Sequence, residues 1–89
     1  MNRRSQIRAT RTTWERNTGY RSQLSRHYTD NGITVLVEIF RPWGGDTWRM
    51  EVTSLEDQVT DWNDPFASAQ EAWDEFIHVV NTESIAVFL

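Results

Sequence analysis

The chain has 89 residues, 38% of them apolar and 25% charged, with a net charge of −4 and no cysteine. That length holds one two-layer core and not two, and the missing thiols exclude a disulfide framework and any thiolate metal site. No run approaches the 18 apolar residues of a membrane span, and the N-terminus lacks the apolar centre of a secretory signal, so a cytoplasmic location is expected.

Charge divides the chain more sharply than the net value suggests. Residues 1–30 carry seven arginines against Glu15 and Asp30, a balance of +5; residues 31–89 carry Arg41 and Arg49 against eleven carboxylates, a balance of −9. Residues 1–19 are Arg- and Thr-rich, and after Met1 only Ile7 and Trp14 are large and apolar. So little apolar surface does not offset the entropy of ordering, and a flexible arm is expected, followed by one domain over residues 20–89. The arm is also Arg-rich and acid-poor like a mitochondrial transit peptide, but it has no apolar helical face.

Tyr20, Leu24 and Tyr28 share one parity, which predicts a first strand over 20–29. Asn31-Gly32 supplies the positive φ angles of a tight hairpin. Ile33, Val35, Val37 and Ile39 then make an unbroken β-branched face, the natural floor for a helix. Pro42-Trp43-Gly44-Gly45-Asp46 reads as a loop. It leads to Thr47–Thr53, where Trp48, Met50 and Val52 alternate with Arg49 and Glu51 in the pattern of a half-buried antiparallel strand. A further short strand is expected over Gln58–Trp62.

The clearest helix begins at Ser68. Pro65 precedes it, and Ser68 with Glu71 has the spacing of a capping box. Ala69, Ala72, Trp73, Phe76, Ile77 and Val80 form one stripe on a 3.6-residue period, leaving Gln70, Glu71, Asp74, Glu75, His78 and Asn81 outside. The terminal run Ile85–Leu89 reads as a short strand, docked on the domain or paired with a second copy. The expected fold is α+β: an antiparallel sheet of three to four strands packed on one C-terminal helix, with a short terminal strand and a flexible N-terminal arm.

Catalytic chemistry finds little support in the residues. There is no nucleophile elbow, and the two histidines, His27 and His78, lie in different elements. Glu75-Phe76-Ile77-His78 has the Glu-x-x-His spacing of di-metal bundles, but those draw ligands from several helices and this chain offers one. Gly44-Gly45 has no following lysine to make a phosphate loop. A non-catalytic protein without metal or cofactor is expected.

Binding residues are easier to nominate. Trp43 stands in a glycine-containing loop beside Arg41, and tryptophan and arginine dominate interface hot spots. The sheet face away from the helix carries Leu36, Phe40 and Arg49, an apolar patch for a partner or a second copy if it is open. Leu36, Phe40, Arg41, Trp43 and Arg49 are therefore the candidate contact residues. The leading expectation is an interaction module whose acidic body meets a protein partner or itself. The alternative is nucleic-acid binding through the arm and the Arg/Trp cluster.

Trp48 in a strand, Phe66-x-Ser68 before the helix, Ala72 within it and Ile85–Leu89 after it resemble the plant AP2 and integrase arm-type DNA-binding domains over residues 33–89. That resemblance implies a sheet packed on a helix and DNA read by a basic sheet face. Here Arg41 and Arg49 stand among Glu38, Asp46 and Glu51, whose charges oppose docking on phosphate.

Overall fold

A computed structural model describes the backbone of residues 4–7 and all of residues 19–89. The sheet is wholly antiparallel. Strands β1 (Arg4–Ile7), β2 (Gly19–Arg21), β3 (Arg26–Asp30), β4 (Ile33–Pro42), β5 (Arg49–Ser54) and β6 (Val59–Trp62) lie in the order β1-β6-β5-β4-β2, with β3 also on β4. Helix α1 (Ala69–Glu83) crosses one face, and a 3-10 helix (Ile85–Phe88) ends the chain. The α+β architecture of antiparallel sheet and single C-terminal helix is as the sequence indicates.

The β3–β4 hairpin turns on Asn31 and Gly32, at φ 52° and 78°, the left-handed pair that a two-residue hairpin turn needs. The expected strand over 20–29 is in fact two. Tyr20 pairs with Arg41 and Arg26 with Val37, so two extra residues separate the registers of β2 and β3 on β4. The insertion preserves parity, and a serine fills the gap in the ladder. Ser25 Oγ accepts from the Ile39 N–H at 2.9 Å and donates to the Ile39 carbonyl at 3.2 Å, while the Ser22 N–H donates to that carbonyl at 2.7 Å. The split already takes the sheet to five strands, past the expected three to four, and Arg4–Ile7, placed in the arm by composition, adds a sixth by pairing with β6. The rest of that arm, Trp14 included, lies outside the described residues.

The helix-side face of the sheet presents Val35, Val37, Ile39, Met50, Val52, Thr60 and Trp62, all at most 1% exposed. Against it α1 buries Ala72, Phe76, Val79 and Val80, with Trp73 and Ile77 on its flank. Ser68 caps α1 as its spacing indicates, accepting from the Glu71 N–H at 3.1 Å. Burial of Phe76 alone is worth about 1.5–3 kcal/mol, and it sits among the rings of Tyr28, Trp73 and Phe88.

The C-terminus departs from expectation. Ile85–Phe88 is a 3-10 helix, not a strand, and Ile85 and Phe88 are fully buried. An extended strand would direct Ile85 and Phe88 to opposite faces, whereas a three-residue period brings both onto the core. Ser84, at φ 86°, makes the break: its N–H donates to Val80 and its Oγ accepts from the Ala86 N–H. Phe88 then stacks on Phe76 with ring centroids 5.5 Å apart. These residues belong to the protomer's own core, which removes them as a docking strand for a second copy.

Candidate functional site

The β4–β5 connection begins with Pro42-Trp43-Gly44-Gly45. The Gly45 N–H donates to the Pro42 carbonyl at 3.0 Å and Gly44 has φ +79°, as the third residue of a type II turn requires. Trp43 is thereby carried to the corner of the turn. Its ring meets Tyr20 edge-on, with centroids 4.3 Å apart and planes at 72°.

Arg41 organises the residues beneath. Its guanidinium lies 4.5 Å from the Tyr20 ring and 5.6 Å from Trp48, and it donates to the Gly45 carbonyl at 2.6 Å. Tyr20 and Arg41 are direct cross-strand neighbours, brought together because β2 approaches β4 closely at Gly19. A Cβ on Gly19 would sit 2.6 Å from the Arg41 carbonyl oxygen. Trp48 is fixed from behind by reciprocal backbone bonds with Phe66, each 2.8 Å. The product is a corner of Tyr20, Arg41, Trp43 and Trp48 in which Tyr20 and Trp43 remain 49% and 51% exposed.

The sheet face opposite the helix differs in character. Register aligns Glu38 with Glu51 and Glu51 with Asp61, so three carboxylates form a row across β4, β5 and β6. Arg21 reaches Glu38 at 3.9 Å, and Arg49 reaches Asp61 at 4.0 Å while donating to the Trp62 carbonyl at 2.9 Å. Burial pushes the Asp61 carboxyl above its ordinary range, and the Glu51 charge adds to that. The Trp62 N–H bond and Arg49 act against it. Glu51 itself is 2% exposed.

Register thus divides the five residues that sequence nominates. Arg41 and Trp43 meet at the corner. Leu36, Phe40 and Arg49 lie on the opposite face, where Phe40 is buried and Leu36 and Arg49 are half-buried. The open Leu36–Phe40 patch is not present: Phe40, in register between Arg21 and Arg49, is 7% exposed. Two corner residues escaped the sequence reading. Trp48 has the parity of a core residue and packs against the core, yet also supports Arg41. Tyr20 becomes a neighbour of Arg41 only through the two-residue insertion in the first strand.

Other polar groups are committed within the fold. Glu75 accepts from the Trp62 indole N–H at 3.2 Å and His78 is exposed on α1, so the Glu75–His78 spacing brings no further ligand with it. Among the described residues no three His, Asp or Glu side chains converge as a metal site requires, and no helix is long and apolar enough to cross a membrane. Helix α1 carries Glu71, Asp74, Glu75 and Glu83 and neither arginine nor lysine, while Arg26 of β3 lies 5.2 Å over its Trp73. Comparison with protein-family models, with curated proteins and with solved structures returns no match to this chain.

Proposed function

We propose that this chain is a small, non-catalytic protein-interaction module of the cytoplasm, whose partner docks on the Tyr20–Arg41–Trp43–Trp48 corner beside an acidic helix layer. The observation that carries this reading is the state of Tyr20 and Trp43. Both are half exposed, yet each packs on the other, with Tyr20 also against the Arg41 guanidinium and Trp43 set by the turn, so little side-chain entropy is left to lose on binding. Aromatic and arginine side chains of this kind anchor interfaces. A partner with an apolar pocket ringed by basic residues would match the corner and the carboxylates of α1 together. Affinity capture with the unaltered chain, Trp43→Ala and Tyr20→Ala tests it: one reproducible partner should be retained by the first and lost by both variants. Equal retention by all three would remove the corner from the reading.

The same corner favours a second reading, single-stranded nucleic acid stacked on Tyr20 and Trp43 with Arg41 at the backbone. Against it stand the eleven carboxylates of residues 31–89. A titration with short single- and double-stranded DNA and RNA separates the two. Amide shifts at Arg41 and Trp43 that persist at physiological salt would establish the nucleic-acid reading, and shifts confined to residues 1–26 that vanish with salt would mark non-specific attraction to the arginines.

A further inference from the structure

Strand β3 reads Arg26-His27-Tyr28-Thr29-Asp30, and among the described residues its one neighbour is β4. Among the described residues nothing pairs with its outer edge, and Arg26, His27, Thr29 and Asp30 are all exposed. The two-residue turn makes Asp30–Ile33 the hydrogen-bonded pair that closes the hairpin, and alternation makes Tyr28–Val35 and Arg26–Val37 the next such pairs. The backbone groups of His27 and Thr29 therefore point away from the sheet.

An antiparallel two-fold centred on Tyr28 satisfies all of them. It sets His27 opposite Thr29 of a second copy and Thr29 opposite His27, each pair exchanging two backbone bonds. The same operation sets Arg26, whose guanidinium lies 5.2 Å over Trp73 and donates to the Leu24 carbonyl at 3.1 Å, opposite Asp30, and Asp30 opposite Arg26, so the charge pattern of the edge is complementary to itself. Every other antiparallel register of this strand on its own copy loses both of those pairs.

The layer above the edge fits as well. Tyr28 packs edge-on against Trp73, centroids 5.8 Å apart, which places the Trp73 flank of α1 over β3. Ile77 follows one turn later on the same flank and is likewise half-buried. Asp74 on that side is bonded to Gln70 at 2.9 Å, whereas Glu71 lies further round the helix and Glu75 faces Trp62 on the far flank. The flank that would meet its copy is the least charged part of α1.

We infer that the chain forms a homodimer by pairing β3 with β3 of a second copy about Tyr28, with Arg26–Asp30 ion pairs on either side and Trp73 and Ile77 adjoining above. This surface is distinct from the Trp43 corner and stands whether or not that corner binds a partner.

Sedimentation equilibrium of the full chain from micromolar to millimolar concentration tests the inference. The unaltered chain and Trp43→Ala should dimerise alike. Arg26→Asp and Asp30→Arg, each of which sets like charges opposite one another twice, should weaken association by about tenfold or more. Mixed in equal amounts those two variants become complementary and should form a heterodimer, and the double variant R26D/D30R should regain the homodimer. A chain that stays monomeric throughout, or a dimer indifferent to both substitutions, overturns the inference. Where a variant fails to fold by circular dichroism, amide exchange in the unaltered chain decides: His27 and Thr29 should gain protection with concentration, and exchange independent of concentration refutes the pairing.

Discussion

Ser25→Ala removes one oxygen from the interior of the sheet, and the structure fixes what should follow. Ser25 Oγ is the partner of the Ile39 N–H at 2.9 Å, at the point where the ladder between β4 and its neighbours is interrupted. Ile39 is fully buried and Ser25 nearly so. The Ile39 carbonyl keeps the Ser22 N–H at 2.7 Å, so alanine orphans one buried donor and not a whole peptide unit. A buried donor left without a partner costs about 1–3 kcal/mol. With a urea m-value of about 1.5 kcal/mol per M, the unfolding midpoint should fall by about 0.7–2 M with the slope unchanged. Ser22→Ala is the internal control, because Ser22 Oγ accepts only the local Leu24 N–H at 3.0 Å. Urea melts followed by circular dichroism give the global effect, and hydrogen exchange should show the Ile39 amide losing protection ahead of its neighbours. If Ser25→Ala behaves no differently from Ser22→Ala and Ile39 stays protected, the serine does not bridge the gap in the ladder.

Three further outcomes follow from other contacts. Phe76→Ala empties a site at 0% exposure ringed by Tyr28, Trp73 and Phe88, and should destabilise by about 3–5 kcal/mol in denaturant melts. Gly19→Ala drives a methyl group to within 2.6 Å of the Arg41 carbonyl oxygen, so β2 must shift, at about 1–3 kcal/mol. The accompanying sign would be altered ring resonances of Tyr20 as its contact with Trp43 changes. Asp61 has a folded pKa raised by burial, so between its ordinary value of 3.8 and the raised value the folded state binds more protons than the unfolded one. Its contribution therefore declines as pH rises through that window and stays lower above it. Asp61→Asn keeps an oxygen for the Trp62 N–H and should abolish that decline, leaving the neutral-pH stability equal to or above that of the unaltered chain.

The parts of the fold legible in the sequence are those written by local periodicity. Ser68 with its Glu71 spacing, the odd-numbered face of Ile33–Ile39 and the Asn31-Gly32 turn each act within a few residues, and each is where its pattern puts it. What period cannot express is a ladder interrupted by a side chain. Ser22 and Ser25 fall inside the single strand expected over 20–29, and only the tertiary pairing of Ile39 gives them a structural task. Ile85–Phe88 failed for a related reason: a short apolar run has no readable period, and Ser84 at φ 86° selects the helical turn that unites Ile85 with Phe88. The candidate site was half legible. Arg41 and Trp43 adjoin in sequence, but Tyr20 reaches them by strand register.

The arginines of the body bear on which class of partner fits. Arg21 pairs with Glu38, Arg26 lies 5.2 Å over Trp73, Arg41 is held by Tyr20, Trp48 and the Gly45 carbonyl, and Arg49 donates to Trp62 beside Asp61. All four therefore have internal partners, and two of them face carboxylates. Phosphate arriving at the sheet would have to draw Arg21 or Arg49 from those contacts and then sit beside the row of Glu38, Glu51 and Asp61. Arg26 and Arg41 are the arginines whose internal partners are aromatic faces and a carbonyl, and Arg41 is the one at the corner. On the function proposed above, an aromatic surface with one positive charge beside the carboxylates of α1 would match a mixed apolar and basic protein surface better than a polyanion.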